Sequence, residues 1–201
     1  MASHRKGFIT SSTVHKLLTG KGNKLLTGGR EFAKQIAMER FGIVDDESSY
    51  SGGYATEWGN LYEEDALIRY EMETFSEVHS QQKTFIDGWL SCTPDGLVSP
   101  DGLVSTDGIT EVKCHYNSQL HMDNLLNNAW IKKYEDQCRF QMMLTGRDWC
   151  DLISYDPRWP EPIDIHWTRI ERDSDWEDFC KDRINQAEEI IEKTLNQLQA
   201  I

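Results

Sequence analysis

Between residues 75 and 114 the chain breaks into short strand-like runs, at 75–79, 83–87, 89–93, 96–98 and 109–114. Glycine and proline separate several of them, which predicts a meander. Helical patterns lie on both sides. Residues 30–41 place Phe32, Ile36 and Phe41 toward a core, and residues 56–73 do the same with Trp58, Leu61, Tyr62, Ala66 and Tyr70. Ser11 or Ser12 caps a shorter helix before them. After the strands come helices at 117–126 and 129–144 and strands at 149–155 and 163–171. A long terminal helix from Asp175 carries Trp176, Phe179, Ala187, Ile190, Ile191 and Leu198 as one stripe. Helices, a central sheet, then helices again define an α/β (α+β) fold. No linker interrupts it, so residues 1–201 are expected to form a single domain. The polar stretch 45–53 reads as a mobile loop.

Composition removes several classes. No apolar run approaches the roughly 20 residues that span a bilayer. The basic opening stretch, Met1 to Gly7, has no apolar region after it, so neither a secretory signal nor a membrane partner is expected and the localisation reads as cytoplasmic. Five scattered cysteines without a CxxC pair imply reduced thiols rather than a zinc site. The net charge of −13 weighs against a nucleic-acid partner. Its distribution weighs the other way. Arg5, Lys6, Lys16, Lys21, Lys24, Arg30, Lys34 and Arg40 concentrate positive charge in the first forty residues of an acidic chain. Charge alone leaves both readings open.

The chemistry-bearing pattern is Thr93-Pro94-Asp95-Gly96 followed by Glu111-Val112-Lys113. Asp95 alone is a plain Pro-Asp-Gly turn. Glu111 and Lys113 are two apart, so on a strand they share one face while Val112 points into the core. Beside an aspartate from the adjoining strand, this pair becomes two hard oxygen ligands and a cation, with the Val112 carbonyl as a further oxygen within reach. Glu63 lies next to the apolar stripe of its helix and otherwise reads as part of a solvated acidic face. A short duplication, Pro94 to Ser99 repeated as Pro100 to Ser105, lengthens the hairpin and offers Asp101 as a rival to Asp95.

These segments, in this order, resemble the phage λ exonuclease and YqaJ-type viral recombinase family of PD-(D/E)xK nucleases. Arg5-Lys-Gly-Phe-Ile-Thr-Ser-Ser-Thr-Val-His15 resembles the family's opening R-x-G-x-I-T-A-S-x-V-H. Trp58-Gly-Asn-Leu-Tyr-Glu63 resembles its acidic helix, and Cys92-Thr-Pro-Asp-Gly-Leu97 with Glu111-Val-Lys-Cys114 its two catalytic strands. Tyr134-Glu-Asp-Gln137 and Tyr155-Asp-Pro-Arg158 resemble the glutamine helix and the strand after it. Three departures stand out. Asp95 and Glu111 are 16 positions apart, against 10 for Asp101, yet the strand 89–93 leads into Asp95 as the family's does. Arg139 stands where a second glutamine is expected. Little sequence precedes Arg5.

The resemblance implies a PD-(D/E)xK restriction-endonuclease-like core with a central mixed sheet flanked by helices. It implies that Glu63, Asp95, Glu111 and the Val112 carbonyl hold one or two Mg²⁺ ions, with Mn²⁺ as a substitute. Lys113, Glu111, Asp95 and Gln137 would be the catalytic set. Arg5, Ser12 and Thr93 would receive a DNA 5′-phosphate, for which an arginine fork and hydroxyl donors are suited. The implied activity is 5′→3′ degradation of linear double-stranded DNA from 5′-phosphorylated ends, leaving 3′ overhangs for phage-type recombination. The implied partners are double-stranded DNA ends, a single-strand annealing protein and further copies in a homotrimer, in a phage-encoded protein acting in a bacterial host. An endonuclease of restriction or repair type, or a catalytically inactive DNA-binding module, are the alternatives on the same core.

Overall fold

The computed structural model describes residues 5–20, 22–43, 53–79, 81–99, 107–128 and 130–201. Residues 45–52 of the expected mobile loop and the second hexapeptide with Asp101 lie outside the described residues. In chain order the elements are β1 (Ile9–Thr10), a 3-10 turn (Val14–Lys16), α1 (Thr27–Phe41), α2 (Tyr54–Thr74), β2 (Val78–His79), β3 (Phe85–Asp87), β4 (Leu90–Cys92) and β5 (Gly96–Val98). They continue with β6 (Gly108–Cys114), α3 (Ser118–Asn127), α4 (Ile131–Thr145), β7 (Trp149–Tyr155), β8 (Ile165–Glu171) and α5 (Ser174–Gln199). These fall into two compact units: one from the described residues of 1–50, 85–92 and 173–201, the other from those of 51–84 and 93–172.

In the first unit β1 runs parallel to β4, and β3 closes antiparallel on β4. Helices α1 and α5 pack together. Phe32, Ala33, Ile36 and Ala37 supply the buried face of α1, but Phe41 is exposed. On α5 the buried line runs Cys180, Ile184, Ala187, Ile191, at alternating steps of four and three, rather than through Trp176 and Phe179. Asp173 caps this helix by accepting from the Trp176 amide at 3.0 Å. The helix expected after Ser11 or Ser12 shortens to the 3-10 turn. Thr13 instead closes a local hydroxyl turn, its Oγ1 accepting from the Thr10 amide at 3.0 Å.

The second unit is built on a mixed sheet of order β2-β5-β6-β7-β8. The expected meander is interrupted. β2 pairs with β5, because the intervening β3–β4 hairpin pairs with β1 instead. β6 is the middle strand, antiparallel to β5 and parallel to β7 over Gly108 to Cys114. Alternation along β6 sends Val112 and Cys114 into a core with Ala66, Leu67 and Tyr70 of α2 and with Trp149, Ile153 and Tyr155 of β7. Leu61 does not join them and is 66% exposed. It lies nine positions, about 180° of helix rotation, from Tyr70. Gly108 is required by a close approach: a Cβ there would stand 2.2 Å from the Trp149 ring.

One buried charge anchors this core. Asp151 is fully buried and accepts from the Tyr70 hydroxyl at 2.6 Å and from Arg169 Nε and Nη2 at 2.8 and 2.7 Å. The guanidinium of Arg169 lies 3.7 Å from the Trp149 ring centre. Burial and the Asp151 charge together push the Tyr70 phenol well above its ordinary pKa, so it remains a donor. Asp151→Ala leaves that hydroxyl buried without its acceptor. We expect a loss of about 3 kcal/mol, read as a lowered urea midpoint with an unchanged m-value. All five cysteines are free and buried.

Candidate active site

The two strands that carry the acidic residues are held in register next to each other. The Asp95 amide donates to the Thr110 carbonyl at 3.1 Å, and Asp95 Oδ2 accepts from the Val112 amide at 2.6 Å. Pro94 precedes this contact and fixes the approach, since its ring removes a donor and holds the local backbone extended. Asp95 therefore lies against β6, beside the face opposite to the Val112 side chain.

On that face Glu111 is only 3% exposed. Its Oε1 accepts from Lys113 Nζ and, at 2.5 Å, from Gln137 Nε2. Its Oε2 accepts at 2.6 Å from Gln141 Nε2. Both glutamines come from α4, one turn apart. Lys113 Nζ also lies 5.0 Å from the Tyr134 ring centre on the same helix. Burial works against the Lys113 ammonium, but the charges of Glu111 and Asp95 outweigh it and hold the group above the usual lysine range. Lys113 is thus a fixed cation at neutral pH.

Asp95 is the mirror case. Burial raises its carboxyl well above the ordinary range, and the charges of Glu111 and Glu63 add to this. Lys113 and the Val112 amide only partly oppose them. A half-buried carboxyl raised by desolvation and then by facing carboxylates marks a cluster short of positive charge.

Glu63 reaches this cluster from α2. With Gly59, Asn60, Val112, Lys113, Cys114 and His115 it lines a cleft of about 180 Å³, and it accepts from Gln82 Nε2 at 3.1 Å. Burial, then Lys133 and Lys113, lower His115 to about 4, so it is neutral at physiological pH. Burial, with Glu63 and Asp95 nearby, raises Cys114 to about 12. The backbone leaving β6 is pinned by Arg158. Its Nη2 donates to the His115 and Tyr116 carbonyls at 3.1 and 3.0 Å, while its Nε and Nη2 hold buried Asp156 at 2.7 and 2.8 Å. The same guanidinium lies 4.5 Å from the Trp58 ring centre.

Among the described residues no three His, Cys, Asp or Glu side chains stand at chelating distance, and amides and the Lys113 ammonium donate to the Glu111 oxygens. The donor set nonetheless fits a hard divalent cation. All of its side-chain donors are oxygens, and the raised Asp95 shows where positive charge is wanted. The residues that could hold it are Asp95, Glu111, Glu63 and the Val112 carbonyl.

The expected site residues do not all lie in one unit. Glu63, Asp95, Glu111, Val112, Lys113 and Gln137 belong to the second unit, and so does Thr93, whose hydroxyl meets that of Thr84 at 3.0 Å. Arg5 and Ser12 belong to the first unit and are exposed, with the Ser12 hydroxyl 3.2 Å from that of Thr10. Sequence reasoning missed Gln141. The signal was its place four residues after Gln137 on one helix, which puts both on the same face.

A mixed sheet that sets Asp95, just before one strand, beside the Glu111-x-Lys113 pair of the next, with helices on both faces, has the fold of the PD-(D/E)xK nucleases. The chain belongs to the YqaJ-like viral recombinase family, whose domain matches residues 2–148. It is similar to the crystal structure of an alkaline exonuclease (LHK-Exo) from Laribacter hongkongensis, at 26% identity and a TM-score of 0.79 over 98% of this chain and 93% of that one. LHK-Exo in complex with dAMP gives 28% identity and a TM-score of 0.69, over 98% and 90% of the two chains. A phage related exonuclease from Haemophilus somnus 129PT shares the fold, with 16% identity and a TM-score of 0.76 over 95% and 96%. No curated protein sequence matches the chain. Among the described residues no helix is long and apolar enough to cross a membrane.

Proposed function

We propose that this chain is a Mg²⁺-dependent exonuclease that degrades linear double-stranded DNA 5′→3′ from 5′-phosphorylated ends. The product is a 3′ single-stranded overhang for a strand-annealing partner in phage-type recombination. The observation that carries the reading is the pair Asp95 and Glu111 against a fixed Lys113 cation, with Glu63 lining the same cleft, in a chain of the recombinase family. Glu63, Asp95, Glu111 and the Val112 carbonyl would hold one or two Mg²⁺ ions, or Mn²⁺ in their place. Bound there, the metal supplies Lewis-acid stabilisation of phosphate charge and eases deprotonation of the attacking water.

The remaining work falls to the chain's own groups. Lys113 stays protonated and donates to the attacking water or to a phosphoryl oxygen as negative charge grows on it. Gln137 steadies Glu111 and can orient water from the same helix face. Residues 1–201 serve one nuclease domain, and the family pattern favours a homotrimer in the cytoplasm of a bacterial host.

The preference for 5′-phosphate is assigned to Arg5, Ser12 and Thr93. A guanidinium and two hydroxyls give a phosphate dianion charge-assisted donors. Linear duplexes with and without a 5′-phosphate, beside a closed circle, test the reading in the presence of Mg²⁺. The phosphorylated strand is expected to be lost while the circle survives. A cut circle would instead favour the endonuclease, and no cutting of any substrate a binding module. In the same assay Arg5→Ala is expected to lower the preference for phosphorylated ends about tenfold or more. An unchanged preference would remove Arg5 from the assignment.

A further inference from the structure

We infer that Gln141 is a positioning residue that sets the orientation of the Glu111 carboxylate toward a divalent cation. The inference rests on Glu111 being a metal ligand, as proposed above. A carboxylate turns readily about its last bond, which has a broad, roughly two-fold torsional profile. A donor on one oxygen leaves that rotation only partly restrained, whereas donors on both oxygens stop it. Lys113 and Gln137 hold Oε1, and Gln141 holds Oε2 at 2.6 Å. Gln137 and Gln141 are one helical turn apart on α4, so one rigid face addresses both oxygens.

The chemistry of the donor matters as much as its position. A primary amide orients a carboxylate without cancelling its charge, so Glu111 keeps the negative charge that a cation needs. A lysine or arginine at 141 would compete with the metal. Gln141 is also wholly buried, which shields this contact from exchange with water. The contact has a cost, because the other amide atom, Oε1, is buried without a hydrogen-bond partner. An apolar residue of the same size would avoid that cost, and the one thing it would give up is the bond to Glu111.

Gln141→Met keeps the volume and removes the donor. Gln141→Asn keeps the amide and withdraws it from Oε2 by one methylene. Mn²⁺ titrated calorimetrically into the DNA-free protein reads the effect without any turnover, with circular dichroism confirming that each variant is folded. Both variants are expected to bind Mn²⁺ about 10- to 100-fold more weakly than wild type. Excess Mn²⁺ is expected to restore much of the lost turnover at unchanged KM for DNA, which general damage to the fold would not allow. A folded variant that binds Mn²⁺ as wild type does would overturn the inference and leave the nuclease reading standing. A wild-type protein that binds no Mn²⁺ would overturn both.

Discussion

Glu111→Gln is expected to lower DNA cleavage by about 10³-fold or more while the protein remains folded. The substitution keeps the shape and removes the charge. At a position 3% exposed, with donors from Lys113, Gln137 and Gln141 converging on it, shape is what packing requires. The amide retains one acceptor, which can still meet Lys113 and Gln137. Its new N–H₂ faces Gln141, whose amide can turn to offer its otherwise unpartnered Oε1 as acceptor, so the cost to packing stays within about 1 kcal/mol. Catalysis loses more than that, because a neutral ligand neither holds a divalent cation well nor offsets the Lys113 charge. Single-turnover cleavage of an end-labelled duplex, run beside a thermal melt, separates the two effects. A folded variant retaining a tenth of wild-type activity would remove Glu111 from the chemistry.

Asp95→Asn is expected to abolish cleavage to a similar degree and, in EDTA, to raise the melting temperature at neutral pH. The Asp95 pKa is raised in the folded protein, by burial first and then by the Glu111 and Glu63 charges. A carboxyl raised on folding contributes stability when protonated, below its unfolded pKa, and loses that contribution as pH rises through its folded pKa. At neutral pH the ionised form is therefore a burden on the metal-free fold. Asparagine removes the charge and can still accept from the Val112 amide. Metal-free wild type should accordingly gain on the variant as pH falls from neutral toward the ordinary carboxylate range. Added Mg²⁺ should stabilise wild type and leave the variant nearly unmoved. A variant that melts lower than wild type in EDTA at neutral pH would show that the Asp95 charge is already balanced.

Much of this arrangement is legible from local periodicity. Two residues apart on a strand is one face, so Glu111 and Lys113 were bound to project together, with Val112 in the core behind them. The strands 149–155 and 96–98 were readable to the residue, because apolar runs between turn signals have few other uses. What local pattern does not carry is partnership. β1 is two residues long, too short to register as a strand, yet it draws the β3–β4 hairpin out of the expected meander. Leu61 is apolar but on the wrong side of α2, and Asp151 is charged but wholly buried. A rule that sorts residues by polarity misplaces both. Gln141 escaped for a narrower reason. The family pattern directs attention to position 139, where Arg139 stands, whereas the geometry of a helix places the second amide one turn after Gln137.

β6 has strands on both sides and helices over both faces. Its amides should therefore be among the slowest in this unit to exchange with solvent, since opening them requires the sheet itself to come apart. Because Glu111 and Lys113 ride on that strand, any partly opened form that keeps β6 paired keeps the backbone from which the acidic-x-lysine pair projects, while the helix contacts that orient Glu111 open separately.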